Sequence, residues 1–140
     1  MFLIVTRNFP PDIGGIQTLM GGLTENLLNH GPVKVFTYEY DNSNIYDSKS
    51  SASIERIKGI KLFRKYRKAN LINNFINSNP NIRALIADHW KSLELIKTEN
   101  LKPVGKGDSD LNVAMKLIAT SGRGPKIQIP SMGCNIKWFK

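Results

Sequence analysis

Residues 2–17 read FLIVTRNFPPDIGGIQ, and this stretch decides the fold. Its first five residues are apolar or β-branched, as expected for a strand that is covered on both faces. Two prolines then exclude a helix, and Gly14 and Gly15 permit backbone geometry that is closed to other residues. From Ile16 onward, apolar residues recur with the spacing i, i+3, i+4 and i+7, which indicates a helix. The stretch therefore predicts the strand, turn and helix that open an α/β domain.

Strand and helix patterns continue to alternate beyond this unit. The predicted strands cover residues 33–38, 54–63 and 82–87, the predicted helices cover residues 16–28, 65–77 and 91–97, and residues 39–53 are a predicted surface loop. This alternation predicts a Rossmann-like, doubly wound and mostly parallel sheet. From about residue 105 the pattern is less regular, with short apolar runs at residues 113–119 and 126–129 between turn-forming segments.

Length and composition narrow the class of protein. The 140 residues suit one domain, and the 41% hydrophobic and 22% charged content is typical of a globular protein. The formal net charge of +9 favours anionic partners, namely phosphate-bearing ligands, acidic lipid headgroups or nucleic acid. The single cysteine, Cys134, excludes an intramolecular disulfide and offers no metal cluster. We therefore expect no metal site and a reducing, cytoplasmic compartment.

Two segments carry a resemblance to a known family. Residues 2–17 resemble the opening of a family 4 glycosyltransferase of the GT-B architecture, with its buried strand, Pro-Pro turn and Gly-Gly pair. Residues 129–139, IPSMGCNIKWF, are similar to the family's Ile-Pro-Asn-Gly-Val-Asp-x-x-x-Phe segment at the crossing between its two domains. Gly133, Asn135 and Phe139 fall on the Gly, Asp and Phe of that segment, with one extra residue before Gly133.

The resemblance implies a domain organisation and an activity. Residues 1–128 match the N-terminal, acceptor-side domain, and residues 129–140 match the start of the interdomain crossover. The family transfers a glycosyl group from a sugar nucleotide to a glycan or lipid-linked acceptor, with retention of configuration and with no metal or other cofactor. The donor-binding half, with its Glu-x7-Glu motif, has no counterpart here. A fragment or shortened copy is therefore expected, without transferase activity on its own.

Gly14 and Gly15 are the first candidate binding residues. A glycine turn that leads into a helix presents free N–H groups and the positive helix end to an anion. In the resembled family this loop lies against the donor phosphates. The alternative is that the two glycines only make a tight turn. The Gly-x-Gly-x-x-Gly fingerprint of dinucleotide-binding domains is missing, so NAD binding is not supported.

Asp88 and His89 are the second candidates, because they follow a predicted strand at the edge where open α/β sheets bind ligands. His89 is a weak catalytic candidate, since a histidine there can exchange a proton or donate a hydrogen bond to a sugar hydroxyl. The resembled family often carries His and Asp at this strand end. The alternative is that Asp88 caps the following helix.

A basic run at residues 56–68 is the third candidate. Its cations alternate with apolar and aromatic residues, so we expect a surface that can rest on anionic lipid headgroups at the inner face of the membrane. The candidate membrane-facing residues are Arg64, Lys65, Arg67 and Lys68. Nucleic acid suits this surface less well, and a solvated face without a partner is the simpler alternative. A non-enzymatic module that binds phosphate or anionic membranes is thus the competing function.

Overall fold

A computed structural model describes residues 1–97, which form a four-stranded sheet with flanking helices. The strands are β1 (Phe2–Val5), β2 (Val33–Tyr38), β3 (Ser53–Ile57) and β4 (Ala84–Ala87). Their order is β3-β2-β1-β4, and every pairing among them is parallel. Ile4 of the central strand lies opposite Val35 on one side and Ile86 on the other. The predicted Rossmann-like, parallel α/β class is confirmed.

The strand order reverses at β1. The chain builds β1, β2 and β3 outward and then returns to place β4 on the free side of β1. In open parallel sheets, the loops at such a reversal diverge and leave a crevice at the carboxyl ends of the strands, where ligands bind. The loops that follow β1 and β4 are therefore the place to look for a site.

The two long helices cover opposite faces of the sheet. The helices are α1 (Gly15–Leu28), α2 (Ser43–Asp47), α3 (Lys61–Ser78) and a 3₁₀ helix (Trp90–Leu93). Phe2 and Ile4 belong to the cluster that α1 covers, whereas Leu3 and Val5 belong to the cluster that α3 covers. Successive side chains of a strand point to opposite faces, so a strand covered on both sides is apolar at every position.

The boundary between β3 and α3 differs from the prediction. The strand predicted over residues 54–63 ends at Ile57, and α3 begins two residues after Gly59. Gly59 has a φ of +115°, which L side chains rarely adopt, and this glycine turns the chain. Ile60 and Leu62 continue the strand-like alternation in the sequence but are 75% and 73% exposed. Periodicity over so few residues fits a strand and a helix start equally well.

Smaller differences occur in two other segments. The predicted loop at residues 39–53 contains α2, a five-residue helix whose polar composition hid it. The helix predicted at residues 91–97 is a 3₁₀ helix that ends at Leu93. The apolar runs at residues 113–119 and 126–129, and the crossover at residues 129–140, lie outside the described residues.

Candidate functional site

The loop of residues 6–14 follows the carboxyl end of the central strand and is held in place by contacts with Tyr46 and Arg56. The Phe9 ring is fully buried and meets Tyr46 edge to face, with 6.0 Å between ring centroids. The carbonyl oxygen of Pro10 accepts a hydrogen bond from Arg56 Nη2 at 2.5 Å. The peptide bond between the two prolines is cis. These contacts fix the path by which the chain reaches α1.

Gly14 and Gly15 begin α1 at this edge. Gly14 is extended, with φ 166°, and does not use the backbone geometry that glycine alone permits. Gly15 is exposed, and a Cβ added there would meet no described atom within 4 Å. Among residues 1–97, no side chain caps this helix end, and its first turn holds no acidic residue. Among the described residues, the first N–H groups of the helix and the positive end of its dipole therefore have no side-chain or acidic partner in the first turn.

One carboxylate lies close to this helix end. Asp12 accepts hydrogen bonds from the N–H of Ile13 at 3.1 Å and from Nε2 of Gln17 at 3.0 Å. Its negative charge opposes an anion at the start of α1. Neutralising Asp12 should consequently strengthen anion binding there.

Asp88 follows β4 and joins the loops of two neighbouring strands. The residue is 5% exposed, and both carboxylate oxygens accept hydrogen bonds. The donors are Thr6 Oγ1 at 2.8 Å, Ser92 Oγ at 2.7 Å, Arg7 N at 3.3 Å and Asn8 Nδ2 at 3.4 Å. Because these donors occupy both oxygens, Asp88 positions the β1 loop against β4. Thr6, which the sequence analysis did not single out, supplies the buried link.

His89 caps the 3₁₀ helix, so the expectation that Asp88 is the cap is wrong. His89 Nδ1 accepts a hydrogen bond from the N–H of Lys91 at 3.0 Å. A neutral ring that accepts at Nδ1 carries its proton on Nε2. The cap thus fixes which nitrogen of this partly exposed ring can donate a hydrogen bond.

Three of the predicted membrane-facing cations remain at or near the surface. Arg67 is exposed, and Arg64 and Lys65 are partly exposed. Lys65 forms an ion pair with Glu94. The Arg64 guanidinium lies 4.8 Å from the centroid of the Tyr38 ring. Arg67 is the most exposed of the three, since Arg64 and Lys65 are each partly covered.

Lys68 lies in the interior, with 1% of its surface exposed, so the prediction that it faces a membrane is wrong. The reason is its place on α3, where it precedes the buried Ile72 and Ile76 by one and two turns on the same face. Burial lowers the pKa of the Lys68 ammonium to about 8. The charge of Asp88 opposes this shift, and the charge of Arg7 adds to it.

Arg56 is another member of the basic run that the structure places inside. Its side chain is 7% exposed and donates two-pronged hydrogen bonds to the carboxylate of Asp47 at 2.7–3.2 Å. It also donates to the carbonyl oxygens of Tyr38 at 3.2 Å and Pro10 at 2.5 Å. Arg56 therefore ties α2 to the Pro-Pro loop, a role that no sequence pattern revealed.

The first two turns of α3 expose a group of large apolar side chains. Ile60, Leu62, Phe63 and Tyr66 are 59–75% exposed, and Arg67 lies beside them in the sequence. Over residues 1–97, no helix combines the length and apolar character that crossing a bilayer requires.

Comparisons of the chain with protein-family models, with curated proteins and with solved structures gave no match. The site must therefore be interpreted from its own geometry.

Proposed function

We propose that this chain is the acceptor-side, doubly wound domain of a GT-B glycosyltransferase, in which Gly14 and Gly15 steady the diphosphate of a sugar nucleotide. The observation that carries the proposal is the uncapped start of α1, open at Gly15 and located at the carboxyl edge beside the strand-order reversal. Free N–H groups and the helix dipole together favour a phosphate at such a position.

Each remaining site residue has a role in this scheme. His89, which follows β4 and whose Nδ1 is held by Lys91, contacts a hydroxyl or anionic group of a glycan or lipid-linked acceptor. Asp88 keeps the glycine loop and the end of β4 in register. GT-B chemistry takes place between two domains, so we expect weak binding of sugar nucleotides by this chain and no turnover.

Residue-resolved NMR titration tests the donor site. Pyrophosphate and a panel of sugar nucleotides are added to ¹⁵N-labelled full chain, and the amide signals of Gly14 and Gly15 are followed. Saturable shifts of both signals in the millimolar range support the proposal. Micromolar affinity or turnover would contradict the proposal that this chain supplies only one side of the donor cleft. If the Gly14 and Gly15 signals do not shift, the proposed site is wrong.

Two charge-matched variants sharpen this test. Gly15→Glu adds a carboxylate to the first turn, which favours the helix dipole but repels a diphosphate by about 1 kcal/mol per unit charge at ~4 Å in water. We expect roughly tenfold weaker pyrophosphate binding with unchanged or higher stability. Gly22→Glu adds the same charge on the same helix, where a Cβ meets no described atom, and should retain binding. Asp12→Asn should strengthen binding.

The exposed start of α3 favours a second candidate function, peripheral binding to anionic membranes. Apolar side chains beside cations, as at Leu62, Phe63 and Arg67, are typical of helices that lie in the headgroup region. We expect flotation with vesicles that contain acidic lipid and not with neutral vesicles. Lys61→Gln with Arg67→Gln should abolish flotation, whereas Lys49→Gln, which removes an exposed cation from another segment, should not. Equal flotation with neutral vesicles would contradict this function.

A further inference from the structure

Lys68 is the most unusual charged residue in the described part of the chain. Within residues 1–97 its ammonium forms no hydrogen bond or ion pair, although the residue is 1% exposed. A buried ammonium without such partners costs several kcal/mol, so buried charges are normally paired. An apolar residue would continue the stripe of Ile72 and Ile76 without this cost. Among the described residues, the ammonium contacts the ring of Tyr38, which stabilises a cation but offers no negative charge.

Other cations approach the same place. The Lys68 ammonium lies 5.4 Å from the centroid of the Tyr38 ring, and the Arg64 guanidinium lies 4.8 Å from the same centroid. Arg64 and Lys68 are four residues apart on α3, a spacing at which like charges repel. Arg7 follows β1, its N–H donates a hydrogen bond to Asp88 at 3.3 Å, and its charge disfavours the protonated form of Lys68.

The nearby carboxylates do not balance these three cations. Asp88 accepts hydrogen bonds at both oxygens from its own loops, and Glu94 forms an ion pair with Lys65. Arg7 is exposed and Arg64 is partly exposed, so the cluster can be reached from the solvent side of these two residues. The result is a concentration of positive charge, with unused donors, at the carboxyl edge on the α3 side of the sheet.

We propose that Lys68, Arg64 and Arg7 form a binding site for a phosphate group, separate from the glycine turn at the start of α1. Guanidinium groups match phosphate oxygens in pairs, and an ammonium adds a compact point charge. A phosphate that carries nearly two negative charges would balance most of the cluster. In the proposed glycosyltransferase this group belongs to the acceptor, but the site itself requires no glycosyl transfer.

The experiment follows Lys68 directly in the full chain. Lysines are labelled with ¹³C at Cε, the Lys68 signal is assigned from the Lys68→Met variant, and inorganic phosphate is titrated at constant ionic strength. A short-chain phosphatidic acid below its micelle concentration is titrated in parallel. A saturable shift of the Lys68 signal with either probe supports the site. The stronger probe tells whether a free phosphate or a lipid headgroup is the better source.

Two variants with the same loss of charge provide the control. Lys68→Met should weaken phosphate binding, followed through the Tyr38 ring signals, by roughly tenfold, the loss expected for one charge-assisted hydrogen bond. Lys49→Met, which removes an exposed cation outside the cluster, should change it less than about twofold. Removing an uncompensated buried charge should raise stability, so weaker binding by Lys68→Met does not reflect unfolding.

The proposal is overturned if neither probe shifts the Lys68 signal, or if Lys68→Met and Lys49→Met weaken binding equally. Failure of the donor site is distinguishable, because it is reported by the Gly14 and Gly15 amides. Gly15→Glu should leave the response of Lys68 to phosphate unchanged.

Discussion

Two adjacent glycines of α1, Gly21 and Gly22, allow the packing of the Pro-Pro loop to be measured. A Cβ added at Gly21 would lie 2.9 Å from Cγ of Pro10 and 3.6 Å from Oη of Tyr46. A Cβ added at Gly22 would meet no described atom within 4 Å. The proline ring cannot swing away as a long side chain would, so Gly21→Ala must move the loop or the helix.

The expected magnitudes follow from these distances. Replacing glycine by alanine inside a helix gains about 0.5–1 kcal/mol at either position. Overpacking at Gly21 costs about 1–3 kcal/mol, so Gly21→Ala should be neutral to about 2 kcal/mol destabilising. Gly22→Ala should raise the free energy of unfolding by the full amount of about 0.5–1 kcal/mol, because the added methyl group meets no described atom. The two variants should therefore differ by about 1–3 kcal/mol in the free energy of unfolding.

Urea denaturation measures this difference, provided that the dependence of the free energy of unfolding on urea concentration is the same for both variants. In thermal unfolding, about 1 kcal/mol corresponds to roughly 3–5 °C for a chain of 140 residues. Equal stabilisation by Gly21→Ala and Gly22→Ala would refute the reasoning, since it would mean that Pro10 does not pack closely on α1. Tyr46→Phe in the Gly21→Ala background shows whether the second contact adds to the cost.

Three further predictions concern buried charges. Arg56→Met should lower the free energy of unfolding, measured in urea, by about 2–4 kcal/mol, because Asp47 and two carbonyl groups lose their donor. The control Lys58→Met breaks an exposed ion pair and should change this free energy by less than about 1 kcal/mol. Asp88→Asn should destabilise by about 1–3 kcal/mol in the same assay, and stability unchanged from the wild type would show that its four hydrogen bonds are dispensable. The pKa of Lys68 is about 8 in the folded protein and 10.5 ordinarily. Between these two pH values the unfolded state binds more protons than the folded state, so the free energy of unfolding rises with pH. The total rise is on the order of 3 kcal/mol. Denaturation at about pH 7 and about pH 10 should show this rise in the wild type and not in Lys68→Met.

The parts of the fold that sequence predicts well are those where several constraints agree. In β1, α1 and β2 the apolar period, the flanking prolines and the glycines all indicate the same boundaries, which the structure places within one residue of the prediction. At residues 54–63 the pattern fits two structures, and only the positive φ of Gly59 decides between them. The five-residue α2 has too few residues to show a period at all.

Sequence likewise predicts one part of the candidate site and not the other. Parallel strands meet at one edge, so topology alone places Gly14 and Asp88 at the same end of the sheet. The partners of Asp88 are not available from sequence, because the hydrogen bond to Thr6 joins residues 82 positions apart. Whether a carboxylate at a strand end faces a ligand or its own loop depends on such long-range contacts.

Composition alone did not predict which cations of the basic run are exposed. An amphipathic composition led us to place Arg64 and Lys68 on one solvated surface, yet they differ sharply in exposure. Arg64 and Lys68 share a face with Ile72 and Ile76, because the four residues follow one another at intervals of four, and Arg64 lies one turn nearer the start of α3, where it is partly exposed. A cation in phase with an apolar stripe must be either buried or reaching out of the core. Lys68 is buried, and among the described residues its ammonium lies over the ring of Tyr38.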